Sequence, residues 1–240
     1  MRNSFDSMAH VHWFVVPWRF RACIAIRMNN LCLRSRILSP ASAPPLQEMK
    51  YLTVVRHAKS SWDQPGIADH DRALNERGLR SAPAMARFLS KTYFGGNGAD
   101  RLLPSPDRLI SSTALRALTT AQLMREPLGL PVDSLALDSR LYLAEPDVIL
   151  DVVRHLNESS AHAMIFAHNP GLSDFVDKML ARTTIPGMPT CATVIMGLPH
   201  EFWGLTDWRE AQLIAYVTPK ALERRFPSEF AGISKANGDD

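Results

Sequence analysis

A chain of 240 residues, 46% apolar and 21% charged, can bury a full core and has the make-up of an ordinary soluble globular protein. Its net charge of +3 is small and unevenly placed: Arg2, Arg19, Arg21, Arg27, Arg34 and Arg36 stand before Met49 against only Asp6 and Glu48, leaving 21 basic and 22 acidic residues from Met49 onward. The excess belongs to the leader and gives no footprint for nucleic acid, and no stretch approaches the roughly 18 uninterrupted apolar residues of a membrane span.

Residues 1–48 show no steady helical or strand period. "WFVVPW" is short and broken by Pro17, and "SPASAPP" reads as a linker. An Arg-rich, acid-poor leader fits an organelle transit peptide. It fits equally an upstream extension of the true start, because Met49-Lys50 opens directly onto a strand, and this second reading is adopted, with 1–48 outside the fold. Cys23, Cys32 and Cys191 form an odd set with neither a disulfide framework nor zinc spacing. That favours a reducing compartment, the cytoplasm, or an organelle if the leader is a transit peptide.

From residue 50 strand and helix patterns alternate. "YLTVV" reads as a strand, "NERGLRSAPAMARFLSKTYF" as mostly helix with Pro83 early in it, "DRLI" as a short strand, "TALRALTTAQLMRE" as a helix and "VDSLAL" as a strand. "PDVILDVVRHLNE" has helical spacing at Val148, Val152 and Leu156; then come the strand "AMIFA", the helix "GLSDFVDKMLA" and the strands "CATVIMGL" and "AQLIAYV". This order predicts a three-layer α/β/α sandwich with a mainly parallel central sheet, forming one catalytic domain over residues 49–226, with 227–240 as a tail.

In such sheets ligands bind beyond the carboxyl ends of the strands. "YLTVV" delivers Arg56-His57. "DRLI" delivers "SSTALR", where Ser112 is suited to cap a helix whose first turn carries Arg116. "AMIFA" delivers "HNPG", with Asn169 suited to the cap, Pro170 to the first helical position and His168 pinned before them. Each residue alone has an ordinary structural explanation. Two arginines and two histidines on one sheet edge, beside helix N-termini, make a site for phosphate.

"VVRHAKSSW", "DHDRALNERG", "SSTALRALTTA" and "AHNPG", in that order, resemble the histidine phosphatase superfamily, and more narrowly its SixA-type phosphohistidine phosphatase branch. The resemblance runs from about Met49 to "TPKALERR" and implies the same sandwich. It implies that His57 is the nucleophile that becomes phosphorylated, that Arg56, Arg116 and His168 complete the phosphate pocket, and that neither a cofactor nor a metal is needed. Ser60, Arg72 and Asn75 are candidate substrate-binding residues, Arg72 at the pocket rim. Ala58 replaces the glycine usual after the Arg-His pair, Lys59 stands where mutase-like members often carry glutamate, and Thr113 replaces a frequent proline. Asp63 stands where those members have an asparagine that helps hold phosphate, and no clear general-acid carboxylate follows the Arg116 helix. Glu145 is the nearest, and reads better as a helix-start residue.

Asp69, His70 and Asp71 could ligate a metal beside His57 and His168; a solvated loop with Arg72 at the rim is the reading preferred. Three functions follow. The first is a metal-independent phosphatase acting through phospho-His57 on phosphohistidine in a protein. The second is a phosphatase or mutase for small phosphorylated metabolites. The third is a non-catalytic module binding phosphorylated partners, against which the intact nucleophile speaks. None involves nucleic acid or a membrane.

Overall fold

In the computed structural model, residues 49–63, 65–94 and 103–227 are described. The leader 1–48, with Cys23 and Cys32, and all of the 227–240 tail except Pro227 lie outside them.

The central strand is β1 (Lys50–Arg56), whose alternate side chains enter cores on both faces of the sheet. Six strands take the order β3-β2-β4-β1-β5-β6, where β2 is Arg108–Ser111, β3 Leu135–Leu137, β4 His162–Ala167, β5 Thr193–Leu198 and β6 Gln212–Val217. Pairings among β3, β2, β4 and β1 are parallel, while β5 runs antiparallel to both β1 and β6. The mainly parallel sheet is therefore as expected, with β5 the reversed strand. Its direction has a local cause. The helix α4 (Gly171–Met179) descends from the carboxyl edge, and the following segment climbs back to bring Met188 beside Arg56 before β5 begins.

On one face α3 (Pro146–Arg154) and α4 bury Ile149, Val153, Phe175 and Val176 against Leu52, Val54, Ile165 and Val194. On the other, α1 (Glu76–Leu89), α2 (Leu115–Arg125) and α5 (Pro219–Arg225) pack Met85, Leu89, Met124 and Leu222 against Val55, Met164, Phe166 and Ile195. Each such side chain, fully buried, contributes about 1.5–3 kcal/mol.

Three local expectations shift. "VDSLAL" gives only the short edge strand β3, because Ser134 turns back onto the Pro131 carbonyl and winds Val132–Ser134 into a 3-10 turn. Ser112 does not cap α2, which starts at Leu115 with Ala114 in the cap position, and α4 starts one residue later than Asn169-Pro170 suggests, with Pro170 itself at the cap. The helix α5 lies in "TPKALERR", which carries the start signal of a Thr218 cap, accepting from the Ala221 N–H, with Pro219 following.

Two glycines fix helices against the site loops. A Cβ on Gly78 would fall on the Lys59 carbonyl, so α1 crosses the segment after His57 at backbone contact; a Cβ on Gly171 would fall on the Ala144 carbonyl.

Candidate active site

Strand register assembles the site. Arg56 pairs with Ala167 and Ser111 with Phe166, so the next residues, His57, Ser112 and His168, stand side by side at the carboxyl edge. The His57 N–H donates to the Ala167 carbonyl and the Ser112 N–H to that of Phe166, extending the ladder one residue past each strand. The His57 and His168 rings lie 5.0 Å apart, centroid to centroid.

Both rings are half committed. His57 is 8% exposed, and its Nδ1 lies 2.8 Å from the Ala58 carbonyl, an acceptor only. Nδ1 therefore carries the proton and Nε2 keeps its lone pair. His168 is 2% exposed; its Nε2 lies 2.8 Å from Ser112 Oγ, and its Nδ1 is buried without a partner. Ser112, expected as a cap, instead orients this ring. Tyr142 packs edge-on against His168 at 5.5 Å.

Burial pushes His57 down to about 4, with Arg116, Arg56 and Arg72 adding to the shift against the opposing bond to Ala58. Burial likewise pushes His168 down to about 3, helped by His57, Arg116 and Arg56 and opposed by Asp69. At neutral pH both imidazoles are uncharged, the form a nucleophile requires.

Arg56 is half buried. Its Nη1 donates to the Met188 carbonyl at 2.8 Å, while its Nε is buried with no partner. Arg116 is 3% exposed in the first turn of α2, as expected. Thr120, four residues on, donates to the Arg116 carbonyl and accepts from the Ala58 N–H at 2.9 Å, tying α2 to the loop behind the nucleophile. Nothing in "ALTTA" singles Thr120 out.

Among the candidate substrate-binding residues, Arg72 reaches the site. It donates to Ser60 Oγ, the Ser61 carbonyl and Asp69, lies 3.3 Å from the Trp62 ring centroid, and acts on His57 electrostatically. Ser60 is buried as the acceptor of that Arg72 bond. Asn75 is committed to structure: its Oδ1 caps α1 through the Gly78 N–H, and its own N–H donates to Lys59 O. Asn75 also lines an adjoining groove of about 740 Å³ together with Trp62, Asp63, Arg72 and Leu79. Asp63 is exposed and takes a hydrogen bond from Ser61 Oγ.

Asp69 is the residue sequence reading misplaced. Its Oδ2 accepts from Arg116 Nη2 and from the Tyr142 hydroxyl, each at 2.8 Å, and its Oδ1 from Arg72 Nη1 at 2.9 Å. Arg116 Nη1 also donates to the Asp69 carbonyl. Burial raises the carboxyl, but the bonds from Tyr142, Arg116 and Arg72 overcome it and hold Asp69 at about 2. The "DHDR" segment is thus a clamp on two arginines. No group of three or more His, Cys, Asp or Glu side chains among the described residues is placed to hold a metal ion. Glu145 occupies the cap position of α3, exposed and without a side-chain capping bond.

Paired, uncharged imidazoles with opposite free nitrogens, flanked by buried guanidinium donors, suit in-line transfer of a phosphoryl group. The comparisons with known proteins agree. Residues 52–137, which include Arg56, His57 and Arg116, match the model of the histidine phosphatase superfamily (branch 1). An uncharacterised protein of Mycobacterium leprae is 26% identical over 177 residues, covering 69% of this chain and all of the relative. A solved chain of Agrobacterium tumefaciens, titled as a candidate phosphohistidine phosphatase SixA, superposes with a TM-score of 0.55 at 24% identity, covering 71% of this chain and 98% of that one. A protein histidine phosphatase SixA complexed with tungstate superposes with a TM-score of 0.57 at 20% identity over 72% of this chain and 99% of that one. No helix among the described residues is long and apolar enough to cross a membrane. Residues 52–137 thus match the histidine phosphatase superfamily model, and the fold is like that of the SixA chains.

Proposed function

We propose that residues 49–226 form a metal-independent phosphatase that removes phosphate from phosphohistidine in a protein through a phospho-His57 intermediate. One observation carries the reading: His57 offers a lone pair at Nε2 while His168 holds a buried, unpartnered Nδ1 beside it. A buried ring nitrogen without a partner is rare and calls for a ligand, and in the tautomer in which the Ser112 hydroxyl donates to Nε2 it is Nδ1 that carries the proton.

His57 Nε2 attacks phosphorus, and the electron pair of the breaking bond passes to the leaving nitrogen. The phosphoryl oxygens take hydrogen bonds from Arg56, whose Nε is free, from His168 Nδ1–H and from Arg116. Each terminal nitrogen of Arg116 spends one hydrogen on Asp69 and keeps a second for the ligand. Water then attacks phospho-His57, releasing inorganic phosphate and restoring the lone pair on Nε2. The tungstate held by the solved SixA, an oxyanion like phosphate, supports an anion site of this kind.

The leaving group favours phosphohistidine. An alkoxide departs readily only if an acid protonates it. Asp69 is ionised and Glu145 is exposed at a helix start, so neither is placed as that acid. A phosphohistidine ring already carrying a proton departs as neutral imidazole. The test is kcat/KM on a phosphohistidine-bearing protein against 3-phosphoglycerate and a phosphoserine peptide. Phosphohistidine is expected to win, and a winning metabolite would assign the protein to small phosphate esters instead. We place the protein in the cytoplasm, to which its free, buried Cys191 is suited; a working transit peptide in residues 1–48 would move it to an organelle.

A further inference from the structure

We infer that the Asp69 carboxylate is the leaving-group subsite, accepting a hydrogen bond from the far ring nitrogen of the departing imidazole and so selecting cationic over anionic leaving groups. The inference rests on the phosphohistidine reading above and adds the residue that reads the substrate.

Three arguments place Asp69 there. The first is depth. His57, Arg116 and His168 are 8%, 3% and 2% exposed, while the Asp69 side chain is 45% exposed, so Asp69 stands at the mouth of the site. A nucleophile attacking from the floor expels its leaving group outward, in line. The second is adjacency: Asp69 bonds to Arg116 and Arg72, two guanidinium groups that also act on His57 electrostatically, so the carboxylate borders the nucleophile's cationic surround. The third is valence. A carboxylate offers about four acceptor directions. Oδ2 uses two, on Arg116 and Tyr142, and Oδ1 uses one, on Arg72, leaving one open on Oδ1.

A phosphorylated imidazole protonated on its far nitrogen carries a positive ring. Donation of that N–H to Oδ1 keeps the proton on the ring while His57 Nε2 forms its bond to phosphorus. The old P–N bond then breaks, its pair goes to the ring, and neutral imidazole leaves with the proton still attached. With an aryl or alkyl phosphate the leaving oxygen gains negative charge in front of the same carboxylate, which opposes it. Asp69 thereby serves as a discriminator and not as an acid.

The test uses the full chain with N-phosphoimidazole and p-nitrophenyl phosphate, and reads the ratio of their kcat/KM values in wild type and in Asp69→Asn. The ratio is expected to fall at least tenfold, mostly through KM for N-phosphoimidazole. If Asp69 only positions Arg116 and Arg72, both substrates decline by the same factor and the inference is overturned. If Asp69→Asn does not fold, Asp69→Glu decides: a ratio within about threefold of wild type supports a charge-reading subsite, and a collapse to the aryl phosphate overturns it. A wild type that cleaves p-nitrophenyl phosphate but not N-phosphoimidazole overturns the phosphohistidine reading itself, a separate result from equal losses in the variant.

Discussion

Strand β4 begins with a histidine at the amino edge and is followed at once by another at the carboxyl edge, and the two make opposite use of the same burial. His162 is fully buried, and burial pushes it down to about 4. Its Nδ1 donates to the Pro104 carbonyl and its Nε2 accepts from Thr53 Oγ1, each at 2.8 Å, with Phe94 packed edge-on at 5.0 Å. Both ring nitrogens are satisfied, and among the described residues no arginine acts on the ring. His168, six residues on, is nearly as buried and more strongly shifted, yet keeps one nitrogen unpartnered beside Arg56 and Arg116. A depressed pKa therefore does not separate structure from function here. An unspent hydrogen-bonding valence beside fixed cations does.

Exchanging the two losses gives the sharpest break of that comparison. His168→Ala should lower kcat by roughly 10²–10³, the usual cost of an electrostatic donor in a transition state, with a modest change in melting temperature. His162→Ala should leave kcat per folded molecule intact and cost about 2–4 kcal/mol of stability, from the cavity and the stranded partners Thr53 and Pro104. Activity assays paired with denaturant unfolding check both, and similar kinetic losses in the two variants would erase the distinction.

Acid should act on both ends alike. The unfolded chain binds protons on these histidines near pH 6.5, while the folded chain resists until about 4 for His57 and His162 and about 3 for His168. Stability is thus fully present above pH 6.5 and lost as pH falls toward 4 and then 3, at roughly 1.4 kcal/mol per pH unit for each histidine. Asp69, held at about 2, adds a loss below its ordinary value of 3.8. Unfolding free energies across pH 7.5 to 4 read the slope, which His162→Val should reduce by about a third.

The smallest expected effect is that of the leader. A chain beginning at Met49 should match the full chain in kcat and fall within about 1 kcal/mol in stability, the scale of surface changes away from any core. A large loss would mean that the leader contributes to the catalytic unit.

How legible the molecule is from sequence follows the same division. The strand tips and their four residues were readable because short apolar runs ending in Arg-His, Ser-Ser and His-Asn break pattern sharply. The direction of β5 was not, since an apolar run carries no arrow and the return path through Met188 is set by tertiary contacts. Ser112 has the composition of a cap, and only the register with β4 turns it toward His168. Asp69 was hidden for a different reason: "DHDR" is as consistent with a solvated loop as with a clamp, and its partner Tyr142 lies 73 positions away.

The central claim is that His57 takes the phosphoryl group. Substrate labelled in that group, mixed with enzyme and quenched rapidly, is expected to leave an acid-labile, alkali-stable label on the protein. In His57→Ala both the label and turnover should vanish, while His168→Ala should still take up label slowly. Full turnover by His57→Ala, or a label that survives acid, would contradict the account.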